Sequence, residues 1–420
     1  MRIILYEDTG WKNLLPLVYT RAVFQLICGM GDLLARVHRI VGQDVALEVW
    51  CRSELAEIVT EQTGLPANRP LEGEALLLNG RGLWAELPQV ESGASSWIGV
   101  AGDQERTACI FADATLAAEL SPGTLLDEDC AVLSGLPQRD VSAQAILMDW
   151  PWEIVLANED ALIEDWHCAA DRIGVLGEVA QGSYVLGEAV HVGAGTRVKP
   201  CVVIDAEDGP VWIGDNVQIL PHSYIQGPAY IGDGSLLQAG AAVRESTYIG
   251  PVCKVGGEIE ASIIQGYSNK QHDGFLGHSY VGSWVNIAAD CINSDLKNTY
   301  GSVRVPINGR EVDTGESFVG MLVGDHSKMG INVSSPTGAV IGFCSSVFAP
   351  RSPKFVPSFT WIDGDNIDRY DEERGLAIAR KVMARRQKTM SATEEQAFLS
   401  IARQSLDIER QHLYRGPSED

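Results

Sequence analysis

His272 sits where an otherwise regular spacing of aliphatic residues is interrupted, between Val255 and Leu276. A neutral imidazole titrates close to physiological pH, so a histidine in such a loop can act as a general base. Interruptions in a regular scaffold are where functional loops protrude. The competing reading of His272 is a hydrogen-bonded loop residue. A second interruption runs from Ile287 to Val319 and holds Asn293, Lys297 and Asn298, with Asn286 at its edge. Lys297, Arg304 and Lys328 are cations able to neutralise a phosphate. His278 follows a glycine and His326 a Gly-Asp pair, and both read as solvated corner residues.

These side chains need a scaffold, and the scaffold is legible as a repeat. Ile213, Ile219, Ile225, Ile231, Leu237, Val243, Ile249 and Val255 follow one another at steps of six. Leu186, Val192, Val198 and Ile204 keep the same step upstream, before an interruption at Glu207–Pro210 shifts the phase. Downstream, Val323, Met329, Ile341 and Val347 fit it, with Ser335 at the skipped site. Six is neither a helical nor a simple strand period. Three short strands per coil of about eighteen residues would form a triangular prism, aliphatic side chains inside and turns at the corners. Glycine often follows the inward aliphatic, as at Gly214, Gly232 and Gly250, which suggests sharp bends there.

The rest of the chain lacks this period. Arg2–Tyr6, Val45–Cys51 and Ala75–Leu78 read as strands, and 22–41 and 53–60 as helical runs. That alternation predicts an α/β layer with a mainly parallel sheet. Pro151–Trp166 reads as a helical connector. Pro350, Pro353 and Pro357 punctuate a loop, after which 368–386 and 391–414 read as helices, with a Ser391/Glu394 capping box. Leu399, Ala402, Leu406 and Leu413 would share one face. The expected domains are 1–165, 166–350 and 351–420.

Bulk composition removes some partners. Lys and Arg number 32 against 56 Asp and Glu, a net charge of −24. Duplex nucleic acid and anionic membranes want basic faces, so neither is expected, although a local cation cluster still suits a small anionic ligand. The nine cysteines form no C-x-x-C pair and are odd in number, which fits free thiols in a reducing cytosol. The opening residues Met1–Leu5 show no signal-peptide layout, and no apolar run approaches the about 18 residues that span a bilayer.

An α/β domain followed by a hexapeptide prism resembles sugar-phosphate nucleotidyltransferases fused to acyltransferases. More narrowly, it resembles the bifunctional N-acetylglucosamine-phosphate uridylyltransferase/glucosamine-phosphate acetyltransferase family. The match is carried by Gly266-Tyr-Ser-Asn-Lys-Gln-His272-Asp-Gly-Phe-Leu-Gly277, then Tyr280-Val-Gly282 and Val285-Asn286-Ile287. Leu15-Pro-Leu-Val-Tyr-Thr-Arg21, Asn79-Gly-Arg81, Trp150-Pro-Trp152, Gly324–Asn332 and Phe355–Trp361 resemble a related branch of sugar nucleotidyltransferases.

The resemblance implies a left-handed parallel β-helix, a homotrimer, and acyl transfer from acetyl-CoA with His272 as the base. It implies that Asn286 holds the sugar or orients the base, and that Asn293 or Asn298 contacts substrate. For the first domain it implies a nucleoside triphosphate, a sugar phosphate and Mg²⁺. The family's Gly-rich phosphate loop is replaced here by Glu7-Asp8-Thr9-Gly10. Thr20 and Arg21 are then the first choice of phosphate contact, Arg81 the second and Lys12 the third. A capped helix start with a surface salt bridge is the competing reading of Thr20-Arg21. The family's metal-binding Asp has no clear counterpart; Asp103, Asn158 and Asp160 are the candidates. Phe275 and Glu260 stand where the family has a sugar-contacting Tyr and a Lys. An enzyme active in both domains, an acyltransferase alone, and a non-catalytic nucleotide-sugar-binding scaffold all remain open at this level.

Overall fold

The structure is a computed structural model and describes residues 2–42, 45–102, 106–307 and 309–413, with side chains to Glu409. The chain divides into two compact units. The first comprises 1–14, 20–27 and 31–150; the second comprises 15–19, 28–30 and 151–420. The connector helix Pro151–Cys168 therefore groups with the repeat.

The first unit is built on a six-stranded sheet. Arg2–Tyr6 lies between Leu47–Trp50 and Ala75–Asn79, parallel to both. Within this sheet Arg106–Ala112 alone runs antiparallel, to Ala75–Asn79 and to Trp97–Ala101, and Gln138–Asp140 is again parallel to Trp97–Ala101, so the sheet is mainly parallel, as expected, with one reversed strand. The physical reason is the short link after Gly102 (φ +73°), which is too short for a crossover. The helix expected over 22–41 starts only at Leu33, where Asp32 accepts a hydrogen bond from Ala35 N at 2.7 Å. Upstream of it, Gly29 (φ +86°) interrupts any helical path and leaves a single 3₁₀ turn at Val23–Gln25.

In the second unit the six-residue steps become three parallel ladders. Ile213 lies between Val192 and Ile231, Ile219 between Val198 and Leu237, and Ile225 between Ile204 and Val243. Their side chains form a continuous buried column, the apolar core of a three-sided β-helix. Leu186 is exposed instead, because its strand is the edge of its ladder with no coil beneath it. The glycines after the inward aliphatics serve close approach rather than bending. A Cβ on Gly214 would lie 2.2 Å from Asp233 Oδ1, and one on Gly250 would lie 2.6 Å from Gly266 N. The left-handed backbone at the corners is carried mainly by other residues, among them Val252, Tyr267, Trp284 and His326.

The first interruption is only apparent. Ile259, Ile264 and Lys270 continue the column through shortened turns, and Lys270 stacks between Val255 and Ile287. The second is a true insertion. Val281 pairs directly with Val323, and the intervening segment carries the hairpin Arg304–Ile307/Arg310–Asp313.

Strands persist beyond 350, at Phe355–Val356 and Thr360–Asp363. Asp368 lies in a hairpin strand rather than a helix, and the first tail helix, Glu372–Ala384, begins after the Asp371 cap. Ser391 and Glu394 form the expected box, with Ser391 N to Glu394 Oε2 at 2.8 Å and Glu394 N to Ser391 Oγ at 3.1 Å. The buried face of the second tail helix is Phe398, Ile401, Ala402 and Ser405, with Leu399 and Leu406 only half-buried. The Phe398 ring explains this orientation: it packs against Phe343, Phe359 and His326. The side chain of Leu413 lies outside the described residues. All nine cysteines are free thiols. No described helix is long and apolar enough to cross a membrane.

Candidate active site

The residue before each inward position of one ladder points outward. In register, this gives a row of Lys254, Asn269, Asn286 and Lys328. The row borders a cleft of about 430 Å³. One wall is the corner column, where the Tyr267 and Trp284 rings stack at 4.3 Å and 14°. The other comes from the end of the first tail helix: Val382, Arg385 and Arg386. Arg386 donates to Asn269 Oδ1 at 2.7 Å, and Lys388 Nζ lies 5.8 Å from the Tyr267 ring centroid. Lys328 Nζ donates to His326 O at 2.8 Å, and burial holds its pKa below the usual lysine value.

A second hollow of about 190 Å³ adjoins this cleft through Asn269, Gln271 and Asn286 and is also lined by His272. The His272 side chain is exposed, while its backbone is anchored from inside the solenoid. Lys270 Nζ donates to His272 O at 2.6 Å and to Gly256 O at 3.0 Å. Lys270 is almost fully buried, and burial pushes its pKa down to about 8, with Cys291, Asp273 and Asp290 opposing that shift. A base with a lowered folded pKa destabilises the fold fully below that value, and the penalty disappears as pH rises toward the unfolded value of 10.5. A shift of this size is worth roughly 3 kcal/mol, partly offset by the two hydrogen bonds. Lys270→Met is therefore expected to raise stability by about 1–2 kcal/mol at pH 7 in denaturant melts. The gain should shrink between pH 8 and 10, and a gain constant with pH would contradict the assignment.

His272, Asn286 and Lys328 are thus brought to one continuous surface. The other candidates of this unit are not. Asn293 occupies an inward position opposite Ser335, and its amide bonds both Gly277 N (2.9 Å) and Gly277 O (3.0 Å). Lys297 Nζ donates to Ser302 O inside the insertion, and Asn298 is exposed there. The corner histidines are not simply solvated. His278 Nδ1 lies 2.9 Å from Asp295 and its ring packs on Phe318, while His326 is buried among Trp284, Phe343 and Phe398.

In the first unit, the residues following Arg2–Tyr6 and Ala75–Asn79 meet at the strand ends. Arg81 donates to Asp8 at 2.8 and 2.6 Å, to Asp149 at 2.5 Å and to Met148 O at 3.2 Å. Burial pushes the Asp8 carboxyl up, but Arg81, with Asn79 at 2.8 Å, outweighs this and holds it below the usual carboxylate range. Arg106 also pairs with Asp149. Arg52 bonds Glu7 at 3.1 Å and the Arg21 carbonyl at 2.9 Å. Arg21 is buried, Thr20 half-buried, and Lys12 pairs with Glu128 at the surface. Of the candidate metal ligands, Asn158 is used as a staple, accepting from Gly29 N and donating to Ser246 O, both at 2.9 Å. Asp160 is exposed, and Asp103 lies outside the described residues.

Residues 3–173 match the family described as sugar nucleotidyl transferase, and residues 210–245 match the bacterial transferase hexapeptide family. The chain joins a sugar nucleotidyltransferase domain to hexapeptide repeats. It is 34% identical over 170 residues to the bifunctional protein GlmU of Acidithiobacillus ferrooxidans, covering 40% of this chain and 32% of that protein. It is 30% identical over 142 residues to the bifunctional sugar-1-phosphate nucleotidylyltransferase/acetyltransferase of Sulfurisphaera tokodaii, covering 33% and 35%. The chain thus spans about a third of the length of the curated relatives it matches. Among solved structures, LpxA from Acinetobacter baumannii aligns with 56% of this chain and 91% of its own, at 14% identity and a TM-score of 0.30.

Sequence reasoning missed Lys254, Tyr267, Trp284, Lys270, Arg385 and Arg386. The first had a usable signal: it immediately precedes an inward aliphatic, in the same phase as Asn286 and Lys328. In the nucleotidyltransferase domain it missed the Asp8 and Asp149 partners of Arg81.

Proposed function

We propose that the protein acts in nucleotide-sugar biosynthesis of the UDP-N-acetylglucosamine type. Its first domain transfers a nucleotidyl group from a nucleoside triphosphate to a sugar phosphate, and its hexapeptide domain transfers an acyl group from acetyl-CoA to an amino sugar. The observation that carries the acyl half is the exposed His272 beside Asn286, at the mouth of a cation-lined cleft. His272 takes the proton from the attacking amine, and Asn286 orients the sugar or the imidazole. The long cation-lined groove suits a phosphorylated acyl carrier. A homotrimer would extend this groove with a neighbouring prism, and the cytoplasm is the expected compartment. Mg²⁺ enters with the triphosphate, as the counter-ion of its phosphates.

One observation favours a narrower reading, acyl transfer alone: Arg81 is neutralised by carboxylates and Arg52 by Glu7. Two assays separate the readings. Pyrophosphate release from a panel of sugar phosphates and triphosphates reports the first domain, and free thiol release from acetyl-CoA reports the second. Activity in both is the expected result. Thiol release without pyrophosphate leaves the narrower reading, and silence in both across the panels removes the proposal.

A further inference from the structure

One inward position of the solenoid breaks the rule that its neighbours obey. On its ladder the inward residues Leu237, Val255, Ile287, Met329 and Val347 are aliphatic, but the place between Val255 and Ile287 is taken by Lys270. The residue is 1% exposed. A cation in an apolar column lowers stability, and methionine, of similar length, would remove that penalty. Packing therefore does not account for the lysine.

The surroundings are shaped for the ammonium. Gly257 (φ +72°) and Gly274 (φ +121°) adjoin at the nearby corner, and a Cβ on Gly257 would lie 2.9 Å from Lys270 Nζ. The ammonium donates to Gly256 O at 3.0 Å and to His272 O at 2.6 Å. The second contact falls where the turn 271–274 has no other support. Asp273 O accepts from Asp290 N, and Gly274 O from Glu258 N, both at 3.0 Å. His272, just before them, makes one hydrogen bond among the described residues, and Lys270 supplies it. A charged donor binds a carbonyl more strongly than a neutral one. Fixing that carbonyl fixes the rigid peptide plane after His272, and with it the direction in which the imidazole leaves the backbone.

We infer that Lys270 is a positioning residue for acyl transfer: from inside the solenoid it holds the His272 backbone so that the imidazole faces the acceptor amine. It lies beneath the hollow lined by His272 and touches neither acyl donor nor acceptor. The inference rests on the assignment of His272 as the base. It gives the buried lysine a function, since preorganised sites often hold groups that lower stability.

Lys270→Met tests this, because two quantities should move in opposite directions. The variant is expected to be more stable than the wild type at pH 7, yet to release thiol from acetyl-CoA with a kcat lower by about 10- to 100-fold, the scale of a displacement near 1 Å. KM for acetyl-CoA should be unchanged. A double-mutant cycle separates positioning from a general packing effect. In a His272→Ala background, Lys270→Met should lower the residual rate no further, because it acts only through the imidazole. An equal loss in both backgrounds overturns the inference, as does full activity in Lys270→Met. A variant less stable than the wild type gives the lysine a structural role and also overturns it. If the wild-type protein releases no thiol with any acceptor, the acyl-transfer proposal falls, and crystal structures of wild type and Lys270→Met decide the anchoring alone. A rotated His272 peptide in the variant then retains it, and an unmoved one overturns it.

Discussion

His272→Ala is expected to lower thiol release from acetyl-CoA by about 100-fold or more while leaving the fold intact. The size follows from losing a positioned general base, which typically contributes 10²–10⁴-fold. The intact fold follows from geometry. The imidazole is exposed, and the loop is held through the His272 carbonyl, which the substitution keeps. The alanine variant should therefore melt like the wild type and bind coenzyme A with little change, so that the defect falls on kcat. His272→Gln should behave like the alanine variant, since an amide keeps hydrogen bonding but cannot take the proton. The acceptor has to be scanned across amino sugars, because Phe275 and Glu260 stand where the resembling family has a sugar-contacting Tyr and a Lys. An unchanged rate in both variants would show that the base lies elsewhere.

The anchoring of this loop also explains what the sequence hid. The β-helix was legible because an 18-residue coil returns an aliphatic residue to the same inward point, as at Ile213, Ile231 and Ile249. It became illegible where that rule was broken by chemistry. Lys270 and Asn293 occupy inward positions, and a hydrophobic pattern cannot register a buried lysine that spends two hydrogen bonds on backbone carbonyls. The tail's share of the cleft was illegible for another reason. Arg386 and Asn269 are 117 residues apart, and no local periodicity encodes so distant a contact. The second tail helix keeps Ala402 of the expected face buried but leaves Leu399 and Leu406 half-buried, because its orientation is set by the Phe343–Phe359–Phe398 cluster. In the first domain the strands were readable from their apolar runs. The pairing partners of Arg81 were not, since Asp8 and Asp149 approach it from 73 and 68 residues away.

That last constellation yields the other large expected effect. Arg81→Ala should destabilise the first domain by roughly 3 kcal/mol at pH 7, because it leaves the Asp8 charge in a site with little water, served by the Asn79 amide and the Gly10 N–H but by no cation. Asp149 is better protected, since Arg106 also pairs with it. The sign of the pH dependence follows from Asp8. Its folded pKa lies below the ordinary value of 3.8, so its stabilising contribution is complete above about pH 4 and is lost as pH falls through the folded value. Without Arg81, burial raises that pKa instead, and acid relieves the variant by neutralising the carboxyl. The stability gap between wild type and variant should be full at pH 7 and narrow toward pH 3 in denaturant titrations. A phosphate-contacting arginine predicts a different signature: unchanged melting, with a raised KM for triphosphate or sugar phosphate. Since two carboxylates already neutralise Arg81, the stability effect should dominate. If Arg81→Ala instead melts like the wild type and loses nucleotidyl transfer, the Asp8 pairing belongs to the ligand-free site alone, and the guanidinium turns to phosphate when substrate arrives.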